Sequence, residues 1–371
     1  MAKPTREALL EAFRAIEDPD FRRDIVTLGF VREVTVGEDT VSVRLVLTTP
    51  ACPVKEMFRS RVEEEVRKLW PGVRAVGVIL EAQVRPTTPQ APLMENLLPQ
   101  VKNTIAVASG KGGVGKSTVA ANLAVALAAA GAQAGLLDAD IYGPSMGVML
   151  GVRDKPRVDE ARGVMIPVEA HGLKVMSLGF ILEPDSPVIW RGPMVMKALE
   201  QLLKDVEWPE LDYMVVDLPP GTGDAQLTLT QKVPLSGAVI VTTPNEVALI
   251  DARKGLAMFQ KTDVPVLGIV ENMSYFVCPH CRGESDIFSR GGGERTAKEL
   301  GVPFLGAIPL DASVRASGDG GTPVVLAAPG SPVAAAFRAL AERVAQEASI
   351  LAGGGRAGWE RRAATLNAIR S

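Results

Sequence analysis

The sequence predicts an α/β protein with a mostly parallel sheet and helices on both faces, preceded by a small α+β domain. Three observations lead to this prediction. From Asn103 onward, short apolar segments alternate with amphipathic ones, as in parallel sheets buried on both faces. The first 85 residues carry their own helix and strand patterns. Three prolines in residues 86–92 separate the two parts, because proline removes a backbone donor and fixes φ.

The first domain, residues 1–85, is predicted to contain two helices and three strands. Leu9, Phe13 and Ile16 recur at helical spacing, and residues 54–69 return to that period. The predicted strands are residues 30–36 and 41–47, which flank the turn Gly37-Glu38-Asp39, and residues 73–84.

Residues 86–100 are the predicted linker, and residues 101–352 form the larger domain. Six short apolar segments are its predicted strands: residues 105–108, 134–137, 213–216, 238–242, 266–270 and 304–308. A final helix is predicted over residues 332–348, and residues 353–371 are predicted to be a short basic tail. Because ligands of such sheets bind beyond the carboxyl ends of the strands, polar residues at those ends are the candidates for function.

The composition limits the classes of binding partner and the cellular compartment that we expect. Charged residues make up 22% and hydrophobic residues 47% of the 371 residues, and the formal charge is −3, so we expect no nucleic-acid partner. No apolar run approaches the roughly 20 residues of a membrane span, and the first eleven residues show no secretion signal, so we expect a cytoplasmic protein for which membrane binding is not favoured. In that compartment the three cysteines are expected to be metal ligands, reactive thiols or residues that only fill space, rather than disulfides.

A phosphate-binding loop follows the first predicted strand of the larger domain. It reads Gly110-Lys111-Gly112-Gly113-Val114-Gly115-Lys116-Ser117-Thr118. Its glycines let backbone N–H groups turn toward phosphate oxygens. Lys116 is predicted to reach the β- and γ-phosphates, and the Ser117 hydroxyl is predicted to bind Mg²⁺.

Lys111 is unusual, because a simple nucleotide loop tolerates almost any residue at this position. It lies too far round the loop to serve the same γ-phosphate as Lys116, which favours a nucleotide in a second, facing subunit. The run resembles the deviant Walker A loop of the MinD and ParA superfamily, whose ATPases dimerise face to face around two nucleotides. The resemblance implies ATP as the nucleotide, a homodimer, and a Lys111 that crosses the interface. A solvated loop lysine is the alternative.

Acidic segments follow two further strands, Asp138-Ala139-Asp140 and residues 217–224. Their match to the two switch segments of the superfamily implies that Asp140 orients the attacking water and that Asp217 holds Mg²⁺ through its water shell, with Asp138 in support. Strand-end capping is the alternative for any one of these aspartates. We expect slow hydrolysis, because no dedicated strong base is present.

Two other positions complete the predicted nucleotide site. Gly221 is predicted to sense the γ-phosphate through its backbone. Asn272, at the end of another strand, resembles the residue of the superfamily that reads the adenine edge.

Cys278-Pro279-His280-Cys281 lies just beyond Asn272. Two thiolates at this spacing can bind one metal centre, but zinc or a 4Fe-4S cluster usually needs four ligands, and the chain has no second C-x-x-C. Two-fold symmetry would bring Cys278 and Cys281 together with their mates and supply four thiolates. Lys111 and the cysteine pair therefore predict the same dimer.

Nearly the whole chain resembles the Mrp family of iron-sulfur cluster carrier ATPases of the ApbC type. Besides the loop and the cysteines, the resemblance includes residues 140–145, 190–193 and 217–224. It implies that a cluster, 4Fe-4S by preference, is bound and transferred to apoproteins with ATP hydrolysis coupled to the transfer. The first domain resembles the assembly-factor domain fused to such carriers, with Cys52 in a turn. Cys52 is either an auxiliary ligand or a buried small residue.

Several alternatives remain open at this point. The cysteine pair could be a redox pair or a structural zinc site. A positioning ATPase of the MinD or ParA kind, which acts at a membrane or DNA surface, is supported only by the basic tail with its apolar stripe, and that short tail could equally pack on the domain or stay disordered. An electron-donating reductase like the nitrogenase iron protein also shares a cluster between two subunits. Residues 190–196 are either part of the core or a contact with a dimer mate or a client.

Overall fold

The computed structural model describes residues 3–87, 97–181, 192–281 and 283–369, and it leaves the side chains at 192–193, 195–196, 224–225 and 355–369 undescribed. The predicted contact segment 190–196 therefore lies largely outside the described residues. The chain divides into two compact units, Met1–Arg85 and Pro86–Ser371. Among the described helices, none combines the length and the apolar character needed to cross a bilayer.

The first unit contains every helix and strand predicted for it. Its elements are α1 Arg6–Phe13, β1 Glu17–Asp18, β2 Arg23–Asp24, β3 Val31–Val36, β4 Thr40–Leu47, α2 Lys55–Leu69 and β5 Ala75–Ala82. Strand β4 lies in the middle, antiparallel to β3 and parallel to β5. Helix α2 buries Phe58, Val62 and Val66, which recur every four residues and so share one face of the helix.

The second unit contains the remaining elements. Its strands are β6 Val101–Ala108, β7 Ala134–Asp138, β8 Arg157–Asp159, β9 Val164–Ile166, β10 Val168–Ala170, β11 Leu173–Ser177, β12 Leu211–Asp217, β13 Gly237–Thr242, β14 Val266–Glu271, β15 Phe276–Val277, β16 Glu284–Ser285 and β17 Phe304–Ala307. Its helices are α3 Lys116–Ala129, α4 Met146–Met149, α5 Gly192–Lys204, α6 Asp224–Lys232, α7 Glu246–Lys261, α8 Gly292–Leu300, α9 Ala312–Asp319, α10 Val324–Ala327 and α11 Pro332–Ile369.

Eight strands form one sheet in the order β10-β11-β7-β12-β6-β13-β14-β17. In this sheet all neighbouring strands pair parallel except β10, which lies at one edge and pairs antiparallel with β11. Every residue of β7, β13 and β14 is buried, so these strands are covered on both faces. The predicted α/β class is confirmed, and all six predicted strands are present.

The last helix differs from the prediction. Instead of ending near residue 348, α11 runs over Pro332–Ile369, through Gly353-Gly354-Gly355 and most of the predicted tail. Each glycine inside a helix costs about 1 kcal/mol relative to alanine. The alanine, leucine, arginine and glutamate residues around the glycines are strong helix formers, and they offset that cost.

Candidate nucleotide site and paired-cysteine hairpin

The phosphate-binding loop connects β6 to α3 at the carboxyl edge of the sheet. Gly115 is the N-cap of α3 with φ +83°, and a Cβ there would lie 2.2 Å from Asn272 Nδ2. A Cβ on Gly110 would lie 2.2 Å from the backbone of Asp251. By contrast, a Cβ on Gly112 or Gly113 would meet nothing within 4 Å. The loop is packed tightly at both ends and faces open space in the middle, as a phosphate cradle requires.

Lys116 lies at the centre of a buried charge cluster. Its Nζ is 2.6 Å from Asp217 Oδ1 and 3.5 Å from Asp140 Oδ2, and it donates a hydrogen bond to Ser117 Oγ at 3.2 Å. Burial raises the pKa of Asp217, while the charge of Lys116 acts in the opposite direction. The structure thus brings together four of the predicted site residues, which come from three separate segments of the chain.

The donors of this cluster fit Mg²⁺. Asp217 Oδ2 is buried and has no hydrogen-bond partner among the described residues. A carboxylate oxygen without a partner is costly unless something charged completes it, and Mg²⁺ prefers oxygen donors. Asp217 and the nearby Ser117 hydroxyl are the residues that would hold the ion together with phosphate oxygens.

Asp138 organises the loop that carries Asp140. Its carboxylate accepts hydrogen bonds from the backbone N–H groups of Asp140 at 3.2 Å, Ser145 at 3.1 Å and Met146 at 3.2 Å, and from Ser177 Oγ at 3.0 Å. Burial, followed by the charge of Asp217, raises the pKa of Asp138 to about 7. The supporting role predicted for Asp138 agrees with these contacts.

A cavity of about 610 Å³ opens beside the loop, a size typical of small-ligand sites. Its lining includes Gly115, Thr118, Asn272, Leu310 and Asp311. Asn272 Nδ2 donates to the backbone carbonyl of Val114 at 2.9 Å. The amide predicted to read a base therefore also anchors the loop.

A second cavity, of about 360 Å³, opens off Asp140. It is lined by Asp140, Tyr142, Gly143, Pro219, Pro220, Gly223 and Gln226. Gly221, in the segment that forms one wall, has φ +105° and donates its N–H to Ser109 O at 2.9 Å. This bond ties the predicted γ-phosphate sensor to the residue that precedes the phosphate-binding loop.

The two cysteines lie at the tip of a small hairpin. Strands β15 and β16 pair antiparallel, and the N–H of Cys278 donates to Gly283 O at 3.0 Å. Cys278 is half-buried and Cys281 is exposed. Hydrogen bonds from the N–H groups of Cys281 and His280, and from the Cys281 thiol, lower the pKa of Cys278. In the described part of the chain, no three His, Cys, Asp or Glu side chains form a group that could hold a metal ion.

Glu271 anchors the base of this hairpin, a role that sequence reasoning missed. Its buried carboxylate accepts from Ser274 Oγ at 2.6 Å, Gly291 N at 2.9 Å and Gly293 N at 2.5 Å. These bonds close the segment from residue 274 to residue 291 that contains both cysteines. The only signal in the sequence was a carboxylate at the end of an otherwise apolar strand.

Lys111 and Cys52 take no part in the contacts described above for the charge cluster and the cysteine hairpin. The Lys111 side chain is half-buried and has no ion pair within the described ranges, although its carbonyl accepts a hydrogen bond from Ser109 Oγ at 2.9 Å. Cys52 is half-buried and packs on the core of the first unit, and burial raises its pKa to about 11. Cys52 is thus packed against the core without being fully buried.

Comparison with known proteins identifies the family of this chain. The model of a family described as "NUBPL iron-transfer P-loop NTPase" matches residues 100–345, and one described as "iron-sulfur cluster assembly protein" matches residues 6–78. The chain belongs to the NUBPL iron-transfer P-loop NTPase family. Its first 80 or so residues add the assembly-protein module to that NTPase.

Individual proteins are similar to this chain as well, among them two sequence relatives and one solved structure. The chain is 50% identical to the "iron-sulfur cluster carrier protein" of Synechocystis, covering 94% of this chain and 99% of the relative, and 44% identical to that of Escherichia coli K12, covering 89% of each. An Archaeoglobus fulgidus nucleotide-binding protein, solved in complex with ADP, is 40% identical with a TM-score of 0.55, covering 61% of this chain and 90% of that chain.

Proposed function

We propose that this protein is an ATP-dependent iron-sulfur cluster carrier that binds a cluster through Cys278 and Cys281 and transfers it to apoproteins. The observation that carries the proposal is an exposed pair of thiols on a hairpin within the same unit as a phosphate-binding loop. The names of the relatives in Synechocystis and Escherichia coli, which match over almost their full lengths, support the same function.

The nucleotide chemistry follows from the charge cluster. Residues 110–118 cradle the phosphates of ATP, and Lys116 neutralises the β- and γ-phosphates. Mg²⁺, when bound, withdraws charge from the phosphate oxygens, and Ser117 and Asp217 are its protein partners. Asp140 orients the attacking water, and Gly221 responds to the γ-phosphate. Hydrolysis is slow in this proposal, because Asp140 orients water without acting as a strong base.

The Asn272 side of the site holds the base. The 610 Å³ cavity beside Asn272 has room for the nucleoside of ATP, and Asn272 stands at the boundary between that cavity and the phosphate-binding loop. Nucleotide binding would therefore contact the residue that follows Glu271, at the base of the cysteine hairpin.

The cluster is shared by a homodimer in this proposal. Each copy offers two thiolates and a 4Fe-4S cluster takes four, so two copies complete one site. The half-buried Lys111, without an ion pair of its own in the described part of the chain, is free to reach the nucleotide of the facing copy. We place the carrier in the cytoplasm, where reduced thiols and apoprotein recipients are available.

Anaerobic reconstitution tests the proposal. Wild type, the Cys278→Ala/Cys281→Ala double variant and a Cys52→Ala control are loaded with iron and sulfide, counted per dimer, and mixed with an apo-ferredoxin as recipient. We expect wild type and Cys52→Ala to carry and deliver a cluster, and the double variant to do neither. A double variant that keeps the same iron and sulfide and still loads the recipient overturns the proposal.

A further inference from the structure

Gln226 carries a side-chain amide that is buried in the second unit. Its side chain is only 2% exposed, and neither its Oε1 nor its Nε2 has a partner among the described residues. A buried amide in this state has lost its hydration without compensation, and folded proteins keep few such groups. Gln226 therefore calls for an explanation beyond packing.

In the part of the chain that the structure describes, the other buried side-chain atoms without hydrogen-bond partners all lie at the same edge of the sheet. They are Asp217 Oδ2, Ser145 Oγ and Thr243 Oγ. Asp217 ends β12, Thr243 follows β13, and Ser145 lies in the loop after β7. If imperfect packing alone left these atoms without partners, we would expect to find them throughout the core. Their confinement to the carboxyl edge indicates that a ligand completes them.

The position of Gln226 indicates that its amide would lie beside the terminal phosphate of a bound nucleotide. It lies in the first turn of α6, after the segment that begins at Asp217, and it lines the 360 Å³ cavity with Asp140 and Gly223. Asp140 is also 3.5 Å from Lys116 Nζ. The cavity thus begins where the charges that would surround the terminal phosphate converge.

We propose that Gln226 is a catalytic residue that holds the attacking water in this cavity, an inference that rests on the proposed function. A carboxamide can accept a hydrogen bond from water through its oxygen and donate one to a phosphoryl oxygen through its nitrogen. Neither a lysine nor a carboxylate can do both. A glutamine that orients the attacking water is a known device in nucleotide hydrolysis.

In the step assigned to Gln226, the water oxygen bonds to the γ-phosphorus while the bond from that phosphorus to the bridging oxygen of ADP breaks. The proton lost by the water passes to the phosphate product, so Gln226 gains and loses no proton. Asp140 and the amide oxygen of Gln226 fix the water from two sides.

The test compares Gln226→Met, which keeps the size of the side chain without its amide, with Thr230→Val on the same helix. Thr230 is buried, and its Oγ donates a hydrogen bond to Leu227 O at 2.7 Å. Because Thr230 does not line the 360 Å³ cavity, removal of its hydroxyl leaves that cavity unchanged. For Gln226→Met we expect kcat to fall by about tenfold to a hundredfold, with the KM for ATP within about threefold of wild type. Thr230→Val keeps the kcat of wild type.

Two measurements without turnover separate catalysis from folding. Binding of ADP alone should be unchanged in Gln226→Met, whereas binding of Mg²⁺-ADP with aluminium fluoride, which imitates the transferring phosphoryl group, should weaken by the same factor as kcat. The Tm of the nucleotide-free variant should equal or exceed that of wild type, because methionine removes an unpaired buried amide.

A kcat equal to that of wild type overturns the assignment. The assignment is also overturned if the binding of ADP alone weakens as much as the binding of Mg²⁺-ADP with aluminium fluoride. A Tm that falls together with the fraction of active protein overturns it as well. Gln226→Leu provides the same readouts if methionine prevents folding. If wild type itself hydrolyses no ATP, the proposed function fails instead, whereas an active wild type with an equally active Gln226→Met contradicts only the role of Gln226.

Discussion

The side-chain amide of Asn272 donates a hydrogen bond to the backbone carbonyl of Val114 at 2.9 Å and so joins the end of β14 to the phosphate-binding loop. The preceding residue, Glu271, accepts hydrogen bonds from Gly291 and Gly293, which follow the cysteine hairpin in the chain. Two consecutive residues therefore hold the phosphate-binding loop and the two ends of the segment that contains the cysteine hairpin.

Glu271→Gln should loosen the hairpin. The carboxylate accepts three hydrogen bonds, and an amide would turn an NH₂ group toward donors, which costs roughly 1.5 to 3 kcal/mol. We expect a lower Tm and faster loss of a reconstituted cluster to a chelator. The exposed Glu294 in α8 supplies the matched control Glu294→Gln, which should behave as wild type. Equal Tm and equal cluster loss in both variants would contradict the anchoring role.

Lys116→Ala and Lys111→Ala should separate folding from assembly. Removal of Lys116 leaves Asp217 and Asp140 without their buried cation, so we expect a loss of roughly 3 kcal/mol in the free energy of unfolding and no detectable ATP binding.

Lys111 has no ion pair in the described residues, so Lys111→Ala should change stability by less than about 0.5 kcal/mol while abolishing ATP-dependent dimerisation. Calorimetry and sedimentation with a nonhydrolysable ATP analogue measure both effects. If Lys111→Ala dimerised normally, Lys111 would be a solvated loop residue.

Thiol reactivity should distinguish the cysteines. The thiolate is the reactive form, and at pH 8 a thiol with a pKa of about 11 is ionised to only about one part in a thousand. Iodoacetamide should modify Cys281 and Cys278 of the metal-free native protein well before Cys52, as followed by peptide mass spectrometry. Modification of Cys52 at the same rate would show that its burial does not suppress ionisation.

Alkaline pH should destabilise the first unit through Cys52. Burial raises its pKa from 9.0 to about 11, so between these values the unfolded chain loses the thiol proton while the folded chain keeps it. Unfolding is then favoured as pH rises, by roughly 2 kcal/mol across the window. Cys52→Ala should remove this slope from a plot of unfolding free energy against pH between 9 and 11. A slope unchanged in the variant would assign the effect to other groups.

The fold and part of the site could be predicted because their signals are local. A glycine-rich loop between an apolar strand and a helix is visible in a few residues, and so are the six apolar strands. Glu271 and Gln226 were missed because their roles depend on groups brought together only by folding. Gly293 is 22 residues beyond Glu271, and Asp140 is 86 residues before Gln226. The extent of α11 was misjudged because glycine lowers helix propensity without forbidding helix.

The glycines of the phosphate-binding loop differ in what constrains them during evolution. At Gly110 and Gly115, a single added carbon would collide with Asp251 or Asn272 in the empty protein, so selection for folding alone is enough to preserve them. At Gly112, an added carbon meets nothing until a substrate arrives. A lineage that had lost the need for ATP would therefore be expected to drift first at position 112, while positions 110 and 115 stayed unchanged.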